Sequence, residues 1–346
     1  MQPKKRLDYL DIVKALAIFF VIMGHVNKGD DMPAYRIFIY TFHMPLFFAA
    51  AGLSTKWVPG TEYTKEDWKP YLWKNFLALI VPYLIWSLIY SNFSLSVIPG
   101  ILYATYETYS PNVTVGAMWY LPCFFIVRIY LRALQAATSR CKLAPKWIAL
   151  ISAAVSFVIG FLLGTVRPVI GFPCNIDVAF VALGFLLLGF AVKEAMIKLV
   201  EEKLWVLLVI MVVTGALFYF GTFARIDQLD VVAMYIGSYG NIFWMLYNGI
   251  FGSSFMLVVA VLLDRIFKAT PKVHEGMTWL GQNTIGIYLL HTPILRQVAT
   301  PLVNTLGLTS PDWLVGLIAS AVTLPICCVL VTFINKYLYQ LFGKFK

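Results

Sequence analysis

The stretch LDYLDIVKALAIFFVIMGHV, residues 7–26, has the length and composition of a membrane-spanning helix. It nevertheless carries Asp8, Asp11, Lys14 and His25. An ionisable group costs free energy in lipid, so such groups are rare in spans and mark candidate functional positions. One face of this helix is therefore expected to line a polar cavity instead of lipid.

Lys14 and His25 are 11 residues apart, which is three helical turns plus about 20°. The two side chains therefore share one face, about 16 Å apart along the helix axis. Lys14 falls in the inner half of the span, His25 lies near its outer end, and Asp11 lies on a neighbouring face.

The composition predicts a polytopic membrane protein. Of the 346 residues, 60% are hydrophobic and only 13% are charged, whereas soluble proteins carry about 25% charged residues. The net charge of +10 does not indicate nucleic-acid binding, because the basic residues lie in short loops between apolar runs. The five Cys show no paired spacing that would indicate a disulfide framework. No metal site is expected.

We predict an all-α bundle of about ten spans, forming a single transmembrane domain over residues 1–346. Segment 97–110 is amphipathic and too short to span. The predicted spans are 7–27, 36–56, 70–93, 117–138, 147–165, 175–195, 203–222, 242–264, 278–298 and 313–339.

The loop charges predict that both termini are cytoplasmic. Inner loops of membrane proteins are enriched in Lys and Arg. With the N-terminus inside, the inner side and adjoining helix ends hold 21 of the 27 basic residues, and Lys14 lies within the first helix. The outer side holds the remaining five, which are Lys28, Arg36, Arg167, Arg225 and Arg296.

Three of the four His fall inside predicted spans, all in the outer half. These are His25, His43 in FHMPLFF (42–48) and His291 in IGIYLLHTPIL (285–295), while His274 lies in a basic inner loop. A histidine at that depth can act as a general base. It can also hydrogen-bond neighbouring helices without any chemical role.

Four other candidate residues each allow a structural explanation as well as a functional one. Lys69 and Lys74 suit a phosphorylated ligand entering from the cytoplasm, or mark a helix end. Asp177 faces the outer side as a substrate contact or as a helix N-cap. Trp119 can stack on a sugar or belong to the interfacial aromatic belt. Spacing alone does not separate an enzyme from a transporter.

An ordered set of motifs resembles the acyltransferase 3 family of integral membrane acyltransferases, particularly its fucose 4-O-acetylase-like branch. The first helix has D-x-x-K-x-x-x-I with His25 following, similar to the family's Arg/Lys-x10-His pattern. Further matching segments extend over nearly the whole chain. They are FHMPLFFAAAG (42–52), LIVPYLIW (79–86), MWYLPCFF (118–125), NIDVAFVALGFLLLG (175–189) and WLGQNTIGIYLLHTPI (279–294).

The resemblance implies transfer of an acyl group from cytoplasmic acyl-CoA, as acetyl-CoA, to a sugar hydroxyl of a surface or exported glycan. His25 would act as base or acyl carrier, and Lys14 would help to hold the CoA phosphates or orient the thioester. Asp11, on the neighbouring face of the same helix, is a further candidate catalytic residue. The family often carries a basic cluster before L-x-x-P-Y. Here Asn75 and Ala78 occupy such positions, leaving Lys74 and Lys69 for the phosphates. His43, Trp119, Asp177 and His291 would contact the acceptor.

The expected partners are therefore acyl-CoA, a carbohydrate acceptor and membrane lipids, with no nucleic acid. The expected location is the bacterial inner (cytoplasmic) membrane. The alternative function is a glycan or lipid-linked sugar transporter, for which inverted repeats would be expected. No clear repeat is found in the sequence. A membrane domain for sensing or interaction is a third possibility.

Overall fold

A computed structural model describes residues 7–26, 32–58, 61–109, 113–306 and 311–345. The described chain is helical throughout, with no β-strand in these ranges. The basic residues Lys4, Lys5, Arg6 and Lys28 lie outside the described residues. The helices are α1 Asp8–Gly24, α2 Ala34–Tyr40, α3 His43–Leu53, α4 Lys65–Asn75, α5 Val81–Tyr90, α6 Ile98–Tyr103, α7 Val113–Gly116, α8 Tyr120–Ala137, α9 Pro145–Thr165, α10 Ile176–Ala191, α11 Lys193–Leu199, α12 Leu204–Gly221, α13 Ile242–Phe267, α14 Pro271–Gln282, α15 Thr284–Ile294, α16 Thr300–Thr305 and α17 Asp312–Tyr337.

Eight helical stretches of the described chain are long and apolar enough to cross a membrane. This confirms the predicted all-α polytopic fold. The stretches are Ala34–Leu53, Glu66–Tyr90, Ala117–Ala137, Pro145–Thr165, Pro173–Ala191, Leu204–Gln228, Ile242–Phe267 and Asp312–Tyr337. The other two predicted spans are also helical but shorter. The first is α1, with 17 residues.

The predicted span 278–298 is divided at Asn283. This residue has φ −110° and ψ 16°, outside the helical range, and separates α14 from α15. Its side-chain amide donates to the Trp279 carbonyl at 2.8 Å. The same carbonyl also accepts the backbone N–H of Asn283 at 3.1 Å, so both bonds close the end of α14.

Prolines set the local geometry near two of the histidines. Pro45 lacks the N–H that would bond the carbonyl of Thr41, and the second span breaks between α2 and α3 at Thr41 and Phe42. His43 is thereby the first residue of α3. Pro293 lies within α15, which continues into a π-helical turn, Leu295–Ala299.

The described chain forms two compact units, each assembled from separate segments. Unit 1 comprises residues 1–54, 192–232 and 240–328, and unit 2 comprises residues 55–191, 233–239 and 329–346. In unit 1, α1 packs against α3, α13, α14 and α15 around a buried apolar core. In unit 2, α10 packs against α8 and α9, and α4 contacts α8.

Candidate active site

Unit 1 brings together two of the predicted histidines at the end of α1. The ring centroids of His25 and His291 lie 5.0 Å apart in an edge-to-face arrangement. His291 is fully buried, whereas His25 is half-buried at the residue that ends α1. His25 and His291 are 266 residues apart in the sequence, so only the packing of α1 against α15 places their rings in contact.

Backbone carbonyls fix which ring nitrogen carries the proton in both histidines. Nδ1 of His25 lies 2.7 Å from the Val21 carbonyl, and Nδ1 of His291 lies 2.6 Å from the Tyr288 carbonyl. A carbonyl only accepts, so each Nδ1 must donate. In a neutral ring the lone pair is then on Nε2. Nε2 of His291 lies 3.2 Å from the Thr292 hydroxyl.

His43 belongs to the same group of histidines. It is buried, its Nδ1 lies 2.8 Å from the Ile39 carbonyl, and it is within electrostatic range of His25. The rings of His43 and Tyr40 are 5.0 Å apart. The three histidines that the sequence placed at one depth therefore form one cluster in unit 1.

Two arginines beside His25 were missed as site residues by the sequence reasoning, which counted them only as outer-side charges. Arg36 Nε donates to the Gly24 carbonyl at 2.8 Å, next to His25 in the chain. Arg296 lies in the π-helical turn after α15, and the charges of both arginines act on His25. Spacing on one helix gives no signal for such residues, because they reach the site from other segments.

Lys14 forms an ion pair with Asp11, one turn earlier on α1. The Lys14 Nζ–Asp11 Oδ1 distance is 2.6 Å, and the Lys14 side chain is 30% exposed while that of Asp11 is buried. Asp11 therefore balances the charge that made Lys14 conspicuous in an apolar span. Any ligand phosphate at Lys14 would have to share the cation with Asp11.

A second polar group in unit 1 consists of Asp8, Asp264 and His274. Nε2 of His274 lies 2.8 Å from Asp264 Oδ1 and 4.0 Å from Asp8 Oδ2. Lys268 Nζ lies 2.5 Å from Asp264 Oδ2. One atom from each of the first three residues could ligate a metal, all within 4.8 Å of one another. Lys268 offsets one of the two carboxylate charges of the group.

Unit 2 contains the other predicted acceptor contacts, Asp177 and Trp119, and both are buried. Asp177 forms an ion pair with Arg167, whose guanidinium also donates to Glu107 Oε1 at 2.9 Å from Nη2. Burial alone lowers the pKa of the Arg167 guanidinium, but Asp177 and Glu107 more than reverse this, so the pKa lies above its ordinary value. Asp177 thus has a charge partner that explains it without a ligand.

The predicted donor contacts Lys69 and Lys74 also lie in unit 2, on the exposed side of α4. Tyr71 and Asn75 of that helix face α8 instead, since each makes a hydrogen bond with Arg128. Helical spacing explains the difference, because Lys69 and Lys74 fall at other angles around the axis. Their role in donor binding stays a prediction.

Helices of membrane-spanning length, with a histidine cluster in unit 1, define a multi-pass membrane protein. The family model of the acyltransferase domain, Acyl_transf_3, matches residues 7–332. The chain therefore belongs to that family and is a membrane acyltransferase, which confirms the resemblance at the level of the family. No curated protein and no solved structure matches the chain.

Proposed function

We propose that the protein transfers an acetyl group from cytoplasmic acetyl-CoA to a hydroxyl of a sugar in a surface or exported glycan. The proposed location is the bacterial inner membrane. The observation that carries the proposal is the His25 geometry, in which Nδ1 is committed to a backbone carbonyl and Nε2 is the basic atom. A histidine held in this way suits general-base catalysis.

In the proposed reaction, Nε2 of His25 takes the proton of the acceptor hydroxyl. The hydroxyl oxygen then bonds to the thioester carbonyl carbon, the carbon–sulfur bond breaks, and CoA leaves with the proton returned by His25. His291 holds the His25 ring edge-to-face. Arg36 and Arg296 supply positive charge where the carbonyl oxygen becomes negative.

The remaining unit 1 residues have supporting roles in this proposal. Lys14, oriented by Asp11, would position the donor, and His43 with His291 would contact the acceptor. Holding donor and acceptor in one bundle supplies proximity, which can account for a large part of a rate enhancement. The roles of Lys69, Lys74, Trp119 and Asp177 remain as the resemblance implies them.

Mass spectrometry of surface glycans tests the proposal. Cells producing the wild-type protein are compared with cells producing His25→Ala and the control Met23→Ala, at equal amounts in the membrane. The expected result is loss of one acyl mass, 42 Da for acetyl, in His25→Ala only. Unchanged acylation in His25→Ala would remove His25 from catalysis. Failure of the glycan to reach the surface would favour the transporter alternative.

A further inference from the structure

Two arginines of unit 2 lie within a helix of membrane-spanning length. Arg128 and Arg132 are one turn apart on α8, inside the stretch Ala117–Ala137, and both side chains are half-buried. Residues four apart lie on the same helix face. Two like charges on one face of an apolar span are unfavourable unless their surroundings compensate them.

The partners of this pair are all neutral. Arg128 Nε donates to Asn75 Oδ1 at 3.2 Å, and its guanidinium carbon lies 5.8 Å from the Tyr71 ring. The guanidinium carbon of Arg132 lies 3.9 Å from the Tyr71 ring and 4.3 Å from the Tyr63 ring. Aromatic faces attract a cation but do not cancel its charge.

No carboxylate forms an ion pair with either arginine in the described part of the chain. Asp67 acts on Arg132 only through space. Arg132 Nε is buried and has no hydrogen-bond acceptor among the described residues. The two guanidinium groups therefore carry positive charge and hydrogen-bond donors that no carboxylate of the described residues pairs with. Arg167 in the same unit differs, because it has two carboxylate partners.

An open surface pocket of about 420 Å³ lies next to Tyr63, the residue whose ring contacts Arg132. Glu62, Tyr63 and Arg140 are part of its wall, and neither Arg128 nor Arg132 is among its lining residues. Glu62 pairs with Arg140 at 3.2 Å in an exposed contact, which is a weak interaction in water. An anionic ligand in this pocket would meet Tyr63 and Arg140, and Arg132 lies against the Tyr63 ring.

We propose that Arg128 and Arg132 bind the phosphate groups of the acyl donor. This rests on the proposed use of an acyl-CoA, whose diphosphate and 3′-phosphate supply the anions. The planar guanidinium donates two parallel hydrogen bonds to a phosphate, and two such groups one helical turn apart fit two neighbouring phosphates. An anionic phospholipid headgroup presents the same chemistry and is the competing source.

The test is calorimetric titration of CoA into the purified full-length protein, in a non-ionic detergent free of phosphate. The double variant Arg128→Gln and Arg132→Gln is compared with the wild type. The control, Lys142→Gln with Lys146→Gln, removes two exposed charges from the loop and helix that follow α8. We expect the Kd for CoA to rise about 100-fold in the arginine variant, about tenfold for each charged contact. The control should stay within about twofold.

The outcomes separate the inference from the function on which it rests. If the folded arginine variant binds CoA like the wild type, the inference is overturned and the acyl-CoA proposal stands. If the wild type does not bind CoA, the donor proposal itself fails. If CoA binding is unchanged but co-purified anionic phospholipid is lost from the variant, as seen by mass spectrometry, the pair is a lipid site.

A second pair of substitutions tests the inference if the glutamine double variant does not fold. Arg128→Lys and Arg132→Lys keep the charges and lose the planar forks. We expect the Kd for CoA to rise about tenfold with this pair of changes, and an unchanged Kd would overturn the inference.

Discussion

His25 and His274 both lie in unit 1, but their rings have different hydrogen-bond partners. His25 hydrogen-bonds a backbone carbonyl through Nδ1 and contacts a second imidazole, that of His291. His274 instead lies 2.8 Å from the buried carboxylate of Asp264, through Nε2. Neutral groups contact the first ring and the positive charges of Arg36 and Arg296 act on it, whereas acidic partners contact the second ring.

The difference bears on the choice of His25 as the proposed base. A carbonyl holds the Nδ1 proton of His25 and leaves the lone pair on Nε2, the atom that the proposed reaction uses. The carboxylate of Asp264 engages Nε2 of His274 directly, with Lys268 on its other oxygen. His274 is thus part of a group of charged side chains that joins the beginning of α14 to the end of α13.

The largest expected effect is a difference in the rate of acyl transfer between variants of these two histidines. His25→Asn should lower acyl transfer about 10³-fold, because a general base contributes roughly 10²- to 10⁴-fold. His274→Asn should leave the rate within about threefold, because most substitutions outside the reacting groups act on stability. Acyl incorporation into the surface glycan is measured over time at equal protein levels.

Equal losses in the two variants would break this comparison. Such a result would mean that the group around His274 takes part in transfer, or that both changes impair the fold. Thermal unfolding of the two purified variants distinguishes these cases.

The second prediction concerns the contact that holds α14 on α1. A Cβ added to Gly281 would overlap the backbone of Asp11, whereas nothing lies within 4 Å of one added to Gly276 on the same helix. Gly281→Ala should therefore destabilise the protein by about 3 kcal/mol through overpacking. Gly276→Ala should be stabilising by up to about 1 kcal/mol, as for alanine in a helix interior.

Thermal unfolding in detergent measures both glycine variants. Because Asp11 pairs with Lys14, Gly281→Ala should also lower acyl transfer, and Gly276→Ala should not. Equal stability of the two variants would show that α1 and α14 are not in close contact.

The sequence predicted those features that depend on one helix at a time. The all-α membrane fold follows from length and composition, and the similar depth predicted for His25 and His291 agrees with the contact of their rings. The shared face of Lys14 and His25 stays a prediction from the helical period. The ion pair of Lys14 with Asp11 was within reach, since residues three apart on a helix are neighbours.

Features that depend on packing between helices were not predictable in this way. Periodicity does not say which helices touch, so the approach of Arg36 and Arg296 to His25 gave no signal. The same holds for His274, which the sequence placed in a basic loop and the structure pairs with Asp264. Arg128 and Arg132 were counted as inner-side charges, although they lie inside a span without an acidic partner in the described residues.

The third prediction concerns the buried acid of the His274 group. Asp264→Asn keeps the shape and removes the charge that faces His274 and Lys268. We expect a loss of about 2 kcal/mol in stability, because hydrogen bonds to a buried charged group are worth about 1.5–3 kcal/mol. Thermal unfolding measures it, with acyl transfer at the permissive temperature unchanged. A rate loss as large as that of His25→Asn would assign this end of unit 1 a part in catalysis.

The smallest expected effect concerns two partners of the Asp264 carboxylate, Lys268 and His274, which differ in exposure. Lys268 contacts the same carboxylate as His274, but its side chain is 54% exposed while that of His274 is 17% exposed. Water screens an exposed pair, so Lys268→Ala should cost less than about 0.5 kcal/mol. His274→Ala should cost more, because it leaves an oxygen of the buried Asp264 carboxylate without its donor. If unfolding curves show the two losses to be equal, net charge and not buried hydrogen bonding holds this end of unit 1 together.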